Sequence, residues 1–135
     1  MEQKIHLRIV TPNRQLVSQD VDECQIPGRE GYLGVLPGHA PLISELKIGE
    51  LSYRSGKEVH QMAVLGGFLE VLPDQVTVLA DTAELSTDID LARAESSRER
   101  AERRLKQTDS ETDTRRAMIA LERALIRIQV GSKGR

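Results

Sequence analysis

A chain of 135 residues with 39% hydrophobic residues and a net charge of -2 has the size and composition of one globular domain, with or without a smaller appendage. Its apolar runs are shorter than the roughly 18 residues of a membrane-spanning helix, and its first residues lack the pattern of a signal peptide, so we expect neither. The single cysteine, Cys24, excludes an internal disulfide and is predicted to be a small apolar side chain in a strand rather than a reactive thiol.

The charge is divided unevenly along the chain. Residues 1–87 hold 7 Lys and Arg against 12 Asp and Glu, whereas residues 88–135 hold 12 against 9, and ten of those 12 basic residues are arginines. Arginine is suited to bidentate recognition of carboxylate and phosphate groups. A nucleic-acid partner is not expected, because acidic residues are interspersed among the arginines and this half has no aromatic residue for base stacking.

The first part of the chain has the alternation of half-buried strands. Residues 5–9 alternate apolar and polar side chains, and a less regular run over residues 16–26 predicts a bulge near Glu23. Residues 26–42 contain four glycines and three prolines, which predicts tight turns around short buried strands. A phosphate-binding loop is not predicted, because no Gly-Lys-Ser/Thr sequence is present and no strand leads directly into a helix.

Two hairpins follow. Residues 50–54 and 58–65 are predicted to pair around a turn at 55–57, Gly66-Gly67 is predicted to break the chain, and residues 68–72 and 75–80 are predicted to pair around Pro73-Asp74. Seven or more short strands at close intervals indicate an all-β sandwich or barrel. No helix is predicted before residue 87.

The periodicity changes at residues 87–94, where Thr87 and Asp90 form a capping-box pattern. A helix is predicted from Ile89 to about Lys106, followed by a polar loop and a second helix capped by Thr112 or Asp113 and ended by Gly131. The predicted inward residues are Ala94, Ser97, Ala101 and Leu105 on the first helix, and Ala117, Ala120, Leu121, Ala124, Leu125 and Ile128 on the second.

These two helices are predicted to form an antiparallel hairpin. Because so many of the inward residues are alanines, a few kcal/mol could decide between a folded-back and an extended state. The second part is therefore interpreted as a movable arm on a rigid base.

Several arginines share helix faces in this arm: Arg93 with Arg100, and Arg116 with Arg123 and Arg127. If the loop centres near Ser110, Arg93 faces Arg127 and the arginines converge near the open end of the hairpin. A polyphosphate would compensate this charge, with Glu84 and Asp90 accepting hydrogen bonds from a ribose or an adenine amino group. The alternative is a solvated charged face, which spacing alone favours, in which Glu95, Glu99, Glu102 and Glu122 pair with arginines.

Four segments together resemble the epsilon subunit of the bacterial rotary F-type ATP synthase, called delta in mitochondria: residues 31–42, 66–71, 76–80 and 88–94. The resemblance implies a β + α fold, with an N-terminal β-sandwich (residues 1–86) followed by a C-terminal antiparallel two-helix hairpin (residues 87–135). It also implies a non-catalytic subunit of the central stalk. Such a subunit couples proton flow to ATP synthesis and restrains ATP hydrolysis through the mobile hairpin.

The partners implied by the resemblance are the gamma subunit, the c-subunit ring, and the alpha and beta subunits of the catalytic head. The location implied is the cytoplasmic face of the bacterial cell membrane, with membrane contact only through the complex. The implied regulatory ligand is ATP, with no catalytic cofactor and no metal site in the protein. Whether Mg²⁺ accompanies the ATP, and whether protons or sodium ions drive the ring, is left open.

Two sets of residues carry these implications. The implied ATP-binding residues are Glu84, Ile89, Asp90, Arg93, Ala94, Arg100, Arg123 and Arg127. The implied contacts with the c ring or the stalk are Arg29, Glu30, Gly31, Tyr32 and His39. His39 is expected to fix its loop by hydrogen bonds rather than to do chemistry.

Two other hypotheses stay open beside this one. The chain could be a purely structural coupling subunit without a nucleotide site. A free-standing domain that hydrolyses or senses nucleotides is disfavoured, because no nucleophile with an adjacent base and no acid-base pair can be assembled from the motifs.

Overall fold

A computed structural model describes residues 3–133, which divide into two compact units between Glu84 and Leu85. The first unit is built from strands and the second from helices.

The first unit contains β1 (Ile5–Val10), β2 (Gln15–Val21), β3 (Glu23–Gly28), β4 (Gly31–Val35), β5 (Leu42–Ser55), β6 (Glu58–Val71), β7 (Gln75–Ala80) and β8 (Ala83–Leu85). The strands are hydrogen-bonded in the order β2-β1-β7-β6-β5-β3-β4, and β8 pairs with β6. The β1–β7 pair is parallel, whereas the other neighbours along this order are antiparallel. Contacts between β2 and β5, which are well separated in this order, require the sheet to fold back over itself.

The core lies between the two layers made by this folding. Ile5, Leu7 and Ile9 are fully buried, which confirms the alternation predicted for β1. The other large, fully buried side chains of this unit come from five further strands: Val21, Ile26, Val35, Leu51, Met62, Val64, Leu69 and Val71. Alternation with period two therefore identifies the inward face of most strands.

The run predicted over residues 16–26 is two strands, and the bulge expected near Glu23 is wrong. The chain changes sheet partner at Asp22, whose backbone N–H donates to the Arg54 carbonyl at 2.8 Å and whose carboxylate accepts from the Gly56 amide at 2.7 Å. β2 pairs with β1 before this point, and β3 pairs with β5 after it. The register irregularity of β3 lies instead between Gln25 and Gly28.

Gly66 and Gly67 do not break the strand, contrary to the prediction. Both have positive φ, +89° and +132°, and β6 continues through them. Gly67 pairs with Leu46 on one side and with Ala80 on the other. The two glycines therefore form a local irregularity inside the long strand β6. The hairpin of β5 and β6 is also longer than the predicted one.

The second unit begins with a short 3-10 turn (Ser86–Asp88) and continues with α1 (Leu91–Gln107) and α2 (Glu111–Lys133), which pack against each other. The two-helix hairpin is thus observed. Ala94, Ala101, Ala117 and Ala124 are buried, as predicted for the inward faces. Leu125, also predicted to face inward, is 47% exposed.

The predicted helix ends need correction. Asp90 caps α1, since its Oδ1 accepts from the Arg93 amide at 3.1 Å, whereas Thr87 lies in the preceding 3-10 turn. The Ser110 hydroxyl accepts from the Asp113 amide at 3.1 Å, so α2 is capped two or three residues earlier than the predicted Thr112 or Asp113. Gly131 lies within α2 and does not end it.

Candidate functional site

The first turn of α1 is built around Asp90. Its carboxylate accepts from the Arg93 amide at 3.1 Å, and its carbonyl accepts from the Ala94 amide at 3.0 Å. Ile89, immediately before the cap, is 1% exposed, and Ala94 is also buried. The predicted motif over residues 89–94 therefore has a structural role: it starts the helix and fixes where Arg93 emerges.

Gly131 sets the register between the two helices of the hairpin. A Cβ placed on Gly131 would lie 3.0 Å from Ile89 Cγ2 and 2.8 Å from Leu91 Cδ2. Arg93 lies in the first turn of α1, two residues after Leu91, and Arg127 is one turn before Gly131, so the two arginines lie within about one turn of each other along the hairpin.

The predicted arginines differ in their surroundings. Arg93 and Arg123 are exposed, and neither has an ion pair or a side-chain hydrogen bond with any residue in the range 3–133. Arg100 is exposed and donates from Nη2 to the Ser97 hydroxyl at 3.0 Å. Arg127 is half-buried.

Glu84 is separated from the rest of the predicted ATP-binding set by the boundary between the units. It is half-buried in β8, at the end of the first unit. The other members of the set, from Ile89 to Arg127, all belong to the second unit.

Arg98 fits the alternative interpretation of a solvated charged face. It donates to Glu95 at 2.8 Å and to Glu102 at 2.6 Å, and these hydrogen bonds, first that with Glu95, raise the pKa of its guanidinium. In the part of the chain that is described, Glu99 and Glu122 make no such pair. Pairing with carboxylates therefore involves an arginine outside the predicted ATP-binding set.

The second predicted set lies mainly at the turn between β3 and β4. Arg29 and Glu30 form that turn between the paired Gly28 and Gly31, and the Arg29 amide donates to the Ser44 hydroxyl at 3.4 Å. Tyr32 is 58% exposed, and its hydroxyl accepts from the Glu50 amide at 3.1 Å. One open cavity of about 550 Å³ is lined by Arg29, Glu30, Gly31 and Tyr32.

His39 lies outside the lining of that cavity, in the loop between β4 and β5. Its Nδ1 lies 2.7 Å from the Ala40 carbonyl, and the neighbouring Gly38 amide donates to the Pro73 carbonyl at 2.7 Å. These contacts fit the expectation that His39 holds its loop.

Exposed apolar residues complete the cavity wall and were missed by the sequence analysis. Ile43 is 75% exposed and Phe68 is 57% exposed, and both line the cavity. Leu79, opposite Phe68 on β7, is exposed as well. The sequence signal was available, because Ile43 has the same phase on β5 as Glu45 and Lys47, where polar residues are expected.

Other site types find little support in the described residues. No group of three or more His, Cys, Asp or Glu side chains within residues 3–133 could hold a metal ion. No helix in the same range combines the length and apolarity needed to cross a membrane. Cys24 is fully buried, and burial raises the pKa of its thiol to about 12, which agrees with the predicted structural role.

Two family models match the chain in succession. The model described as "ATP synthase, Delta/Epsilon chain, beta-sandwich domain" matches residues 4–86, and the one described as "ATP synthase, Delta/Epsilon chain, long alpha-helix domain" matches residues 87–131. The first description agrees with the folded-back sheet, and the second with the helical unit.

Individual proteins give the same result. An ATP synthase epsilon chain of Syntrophobacter fumaroxidans is 50% identical over 98% of this chain and 99% of its own length. An ATP synthase epsilon chain 2 of Syntrophotalea carbinolica is 47% identical over 99% of this chain and 98% of its own length.

Among solved structures, a chain of the Euglena gracilis mitochondrial ATP synthase superposes with a TM-score of 0.83 at 25% identity, covering 96% of this chain and 81% of that one. A chain of the Tetrahymena thermophila enzyme, at 14% identity, superposes with a TM-score of 0.70 over 96% of this chain and 98% of its own, and supports the fold. With two consecutive family matches and relatives of equal length, this chain belongs to the ATP synthase delta/epsilon chain family.

Proposed function

We propose that this chain is the non-catalytic epsilon subunit of the central stalk of a proton-translocating F-type ATP synthase. In this role it couples proton flow to ATP synthesis and restrains ATP hydrolysis through its helical hairpin. ATP binds the hairpin as a regulatory ligand when the hairpin is folded down. The chain meets the membrane only through the complex, at the cytoplasmic face of the bacterial cell membrane.

A place in the stalk is supported by the relatives and by the surface of the first unit. The solved Euglena gracilis neighbour comes from an assembly that includes F1 and the c-ring. Tyr32, Ile43 and Phe68 expose apolar area beside the turn at Arg29 and Glu30. Exposed apolar surface rimmed by polar residues is typical of a protein interface, so we assign this surface to the gamma subunit and the c ring.

The nucleotide site rests on one observation: Arg93 and Arg127 both lie toward the open end of the hairpin, and Arg93 has no carboxylate partner within residues 3–133. Arginines gathered at one end of a hairpin favour a nearby anion, because like charges repel each other. Arg123 is one turn from Arg127 and also lacks a partner in the described range, so a third guanidinium is available near the same level. A polyphosphate fits such a cluster, because each guanidinium can donate two hydrogen bonds to phosphate oxygens.

The remaining members of the set take supporting roles in this proposal. Ile89 and Ala94 are buried and fix the start of α1. Asp90 uses Oδ1 for the helix cap, so its Oδ2 is assigned to the ribose or the adenine amino group. Arg100 exchanges its bond with Ser97 for one with the nucleotide.

Calorimetric titration of the whole chain with ATP and with ADP tests the site. We expect saturable binding that prefers ATP, and we expect Arg123→Ala to weaken it at least about tenfold, since a charge-assisted hydrogen bond contributes roughly 1.5–3 kcal/mol. Arg115→Ala is the matched control, because Arg115 is an exposed arginine of the same helix without a partner in the described range. No binding by the parent chain at millimolar ATP would mean that the site does not exist.

The regulatory role needs the whole ATP synthase. We expect that an ATP synthase that carries this chain truncated after Thr87 keeps the truncated chain bound. We also expect it to hydrolyse ATP faster than the complex with the full chain. Loss of the shortened chain from the complex would contradict the assignment of the stalk contacts to the first unit.

One observation favours a purely structural role for the hairpin: Arg98 and Arg100 find partners within α1 itself. If Arg123→Ala and the parent chain titrate alike, this alternative replaces the nucleotide site.

A further inference from the structure

Gly131 occupies a position where a glycine needs an explanation. It is buried in the last turns of α2, and glycine is the weakest helix former after proline. Its φ is not positive, so the backbone conformation there does not require glycine. The reason for a glycine at this position therefore lies in what packs against it.

The neighbours of Gly131 belong to the segment that leads into α1. A Cβ at this position would lie 2.8 Å from Leu91 Cδ2, 3.0 Å from Ile89 Cγ2 and 3.2 Å from Ile89 Cβ. Leu91 Cδ2 is the end of a flexible side chain and can turn away. Ile89 Cβ is bonded to the backbone of a residue that is 1% exposed, so relief at Ile89 requires the chain itself to move.

We propose that Gly131 is a positioning residue that sets the gap between the open ends of the two helices. The inference rests on the proposed nucleotide site and deepens it. Arg127 is one turn before Gly131, and Arg93 lies in the first turn of α1, two residues after Leu91, so a change in this gap moves the two guanidiniums apart. With glycine at position 131, the open ends of the two helices have the separation at which Arg93 and Arg127 both reach the same polyphosphate.

The proposal separates two effects that normally change together. Gly131→Ala increases the helix propensity of α2. If Gly131 has only a structural role, the variant should therefore have a more stable α2 than the parent chain. A positioning glycine would instead lose ATP affinity while the helix content stays equal or rises.

The experiment uses the full chain and four variants. Gly131→Val introduces a branched side chain at the contact, and Ser132→Val is the matched control, because Ser132 is the exposed neighbour on the same helix. Gly131→Val combined with Leu91→Ala removes the nearest contacting atoms and tests for rescue. Gly131→Ala is the mild variant that keeps the test open if the valine chain does not fold.

Two readouts are taken at a temperature where circular dichroism at 222 nm shows full helix content. The first is the ATP dissociation constant. The second is the distance between spin labels on Ser96→Cys and Gln129→Cys, which are exposed positions near the open end. Cys24 is fully buried and remains unlabelled in the folded chain.

We expect Gly131→Val to widen the label distance and to raise the dissociation constant by about tenfold or more, as for the overpacking of a tight contact. Gly131→Ala should change both in the same direction but less. Ser132→Val should change neither. Adding Leu91→Ala to Gly131→Val should restore little of the affinity, because Ile89, the neighbour that cannot turn away, is still in place.

An unchanged label distance in Gly131→Val overturns the proposal, because the gap then does not depend on Gly131. A widened distance with unchanged ATP affinity overturns the positioning role while leaving the nucleotide site in place. If the parent chain binds no ATP, the nucleotide site itself is wrong, and the positioning role falls with it.

Discussion

The substitution Gly67→Ala tests how closely β6 approaches β7 at Gly67. A Cβ on Gly67 would lie 2.1 Å from the Leu79 carbonyl oxygen and 2.9 Å from Ala80 Cα. Both are backbone atoms of the neighbouring strand β7, so no side chain can turn away to make room. The φ of +132° adds conformational strain for any residue with a side chain.

Gly31 is a matched control, because its φ is +130° but a Cβ there would meet nothing within 4 Å. Gly31→Ala therefore measures the strain alone, about 1–3 kcal/mol. Gly67→Ala adds overpacking of a further 1–3 kcal/mol, to a total of about 2–6 kcal/mol. Such a loss is a large fraction of the roughly 5–15 kcal/mol that stabilises an ordinary domain.

Urea unfolding followed by tyrosine fluorescence is the assay. The chain has 2 Tyr and no Trp, and Tyr32 and Tyr53 both lie in the first unit, so the signal reports on the sandwich alone. We expect the urea midpoint of Gly67→Ala to fall clearly below that of Gly31→Ala. Equal midpoints for the two variants would refute the close approach between β6 and β7.

Three further predictions follow from the described contacts. Cys24, whose thiol has a pKa of about 12, should not react with Ellman's reagent at pH 8 until urea unfolds the chain. The hydrogen bond from Lys4, then that from the Gly56 amide, lowers the pKa of Asp22. This stabilisation is present above about pH 5 and is lost as the pH falls through the folded pKa, so Asp22→Asn should lower the urea midpoint at pH 7 and differ less from the parent at pH 3. Asp90→Ala should destabilise the hairpin by about 1 kcal/mol in thermal melting at 222 nm, whereas Asp88→Ala, at an exposed residue that caps no helix, should not.

The sequence predicted the sandwich and the two helices well, because alternation and helical spacing are local signals. Ile5, Leu7 and Ile9 are buried as predicted, and Ala94 and Ala101 face inward. These outcomes follow from the two periods of side-chain direction, which hold whatever the rest of the chain does.

Residues that act through distant partners were predicted less well. Asp22 ends β2 because it bonds to Arg54 and Gly56, which are more than thirty positions later in the sequence. Gly131 resembles a helix stop in sequence, but it is retained inside α2 by its contact with Ile89 and Leu91. No local pattern contains either fact, since both depend on which segments the fold brings together.

The candidate site shows the same division. Spacing predicted that Arg93 faces Arg127, and the contacts of Gly131 place both residues toward the open end of the hairpin. The exposed Ile43 and Phe68 were missed, although Ile43 breaks the alternation of its strand. Spacing could not distinguish Arg98, which pairs with Glu95 and Glu102, from Arg93 and Arg123, which have no such pair within residues 3–133.

The parallel pairing of β1 with β7 has a consequence for how the protein is made. β1 is synthesised before its partner β7, which ends at Ala80. The β1–β7 pair therefore cannot form until most of the first unit has left the ribosome. Pairs so distant in sequence form slowly, whereas the helical hairpin, joined by a short loop, depends on local contacts that form fast. During synthesis the sandwich therefore cannot complete its sheet until β7 has been made. The helical arm is translated last but needs the least time to fold.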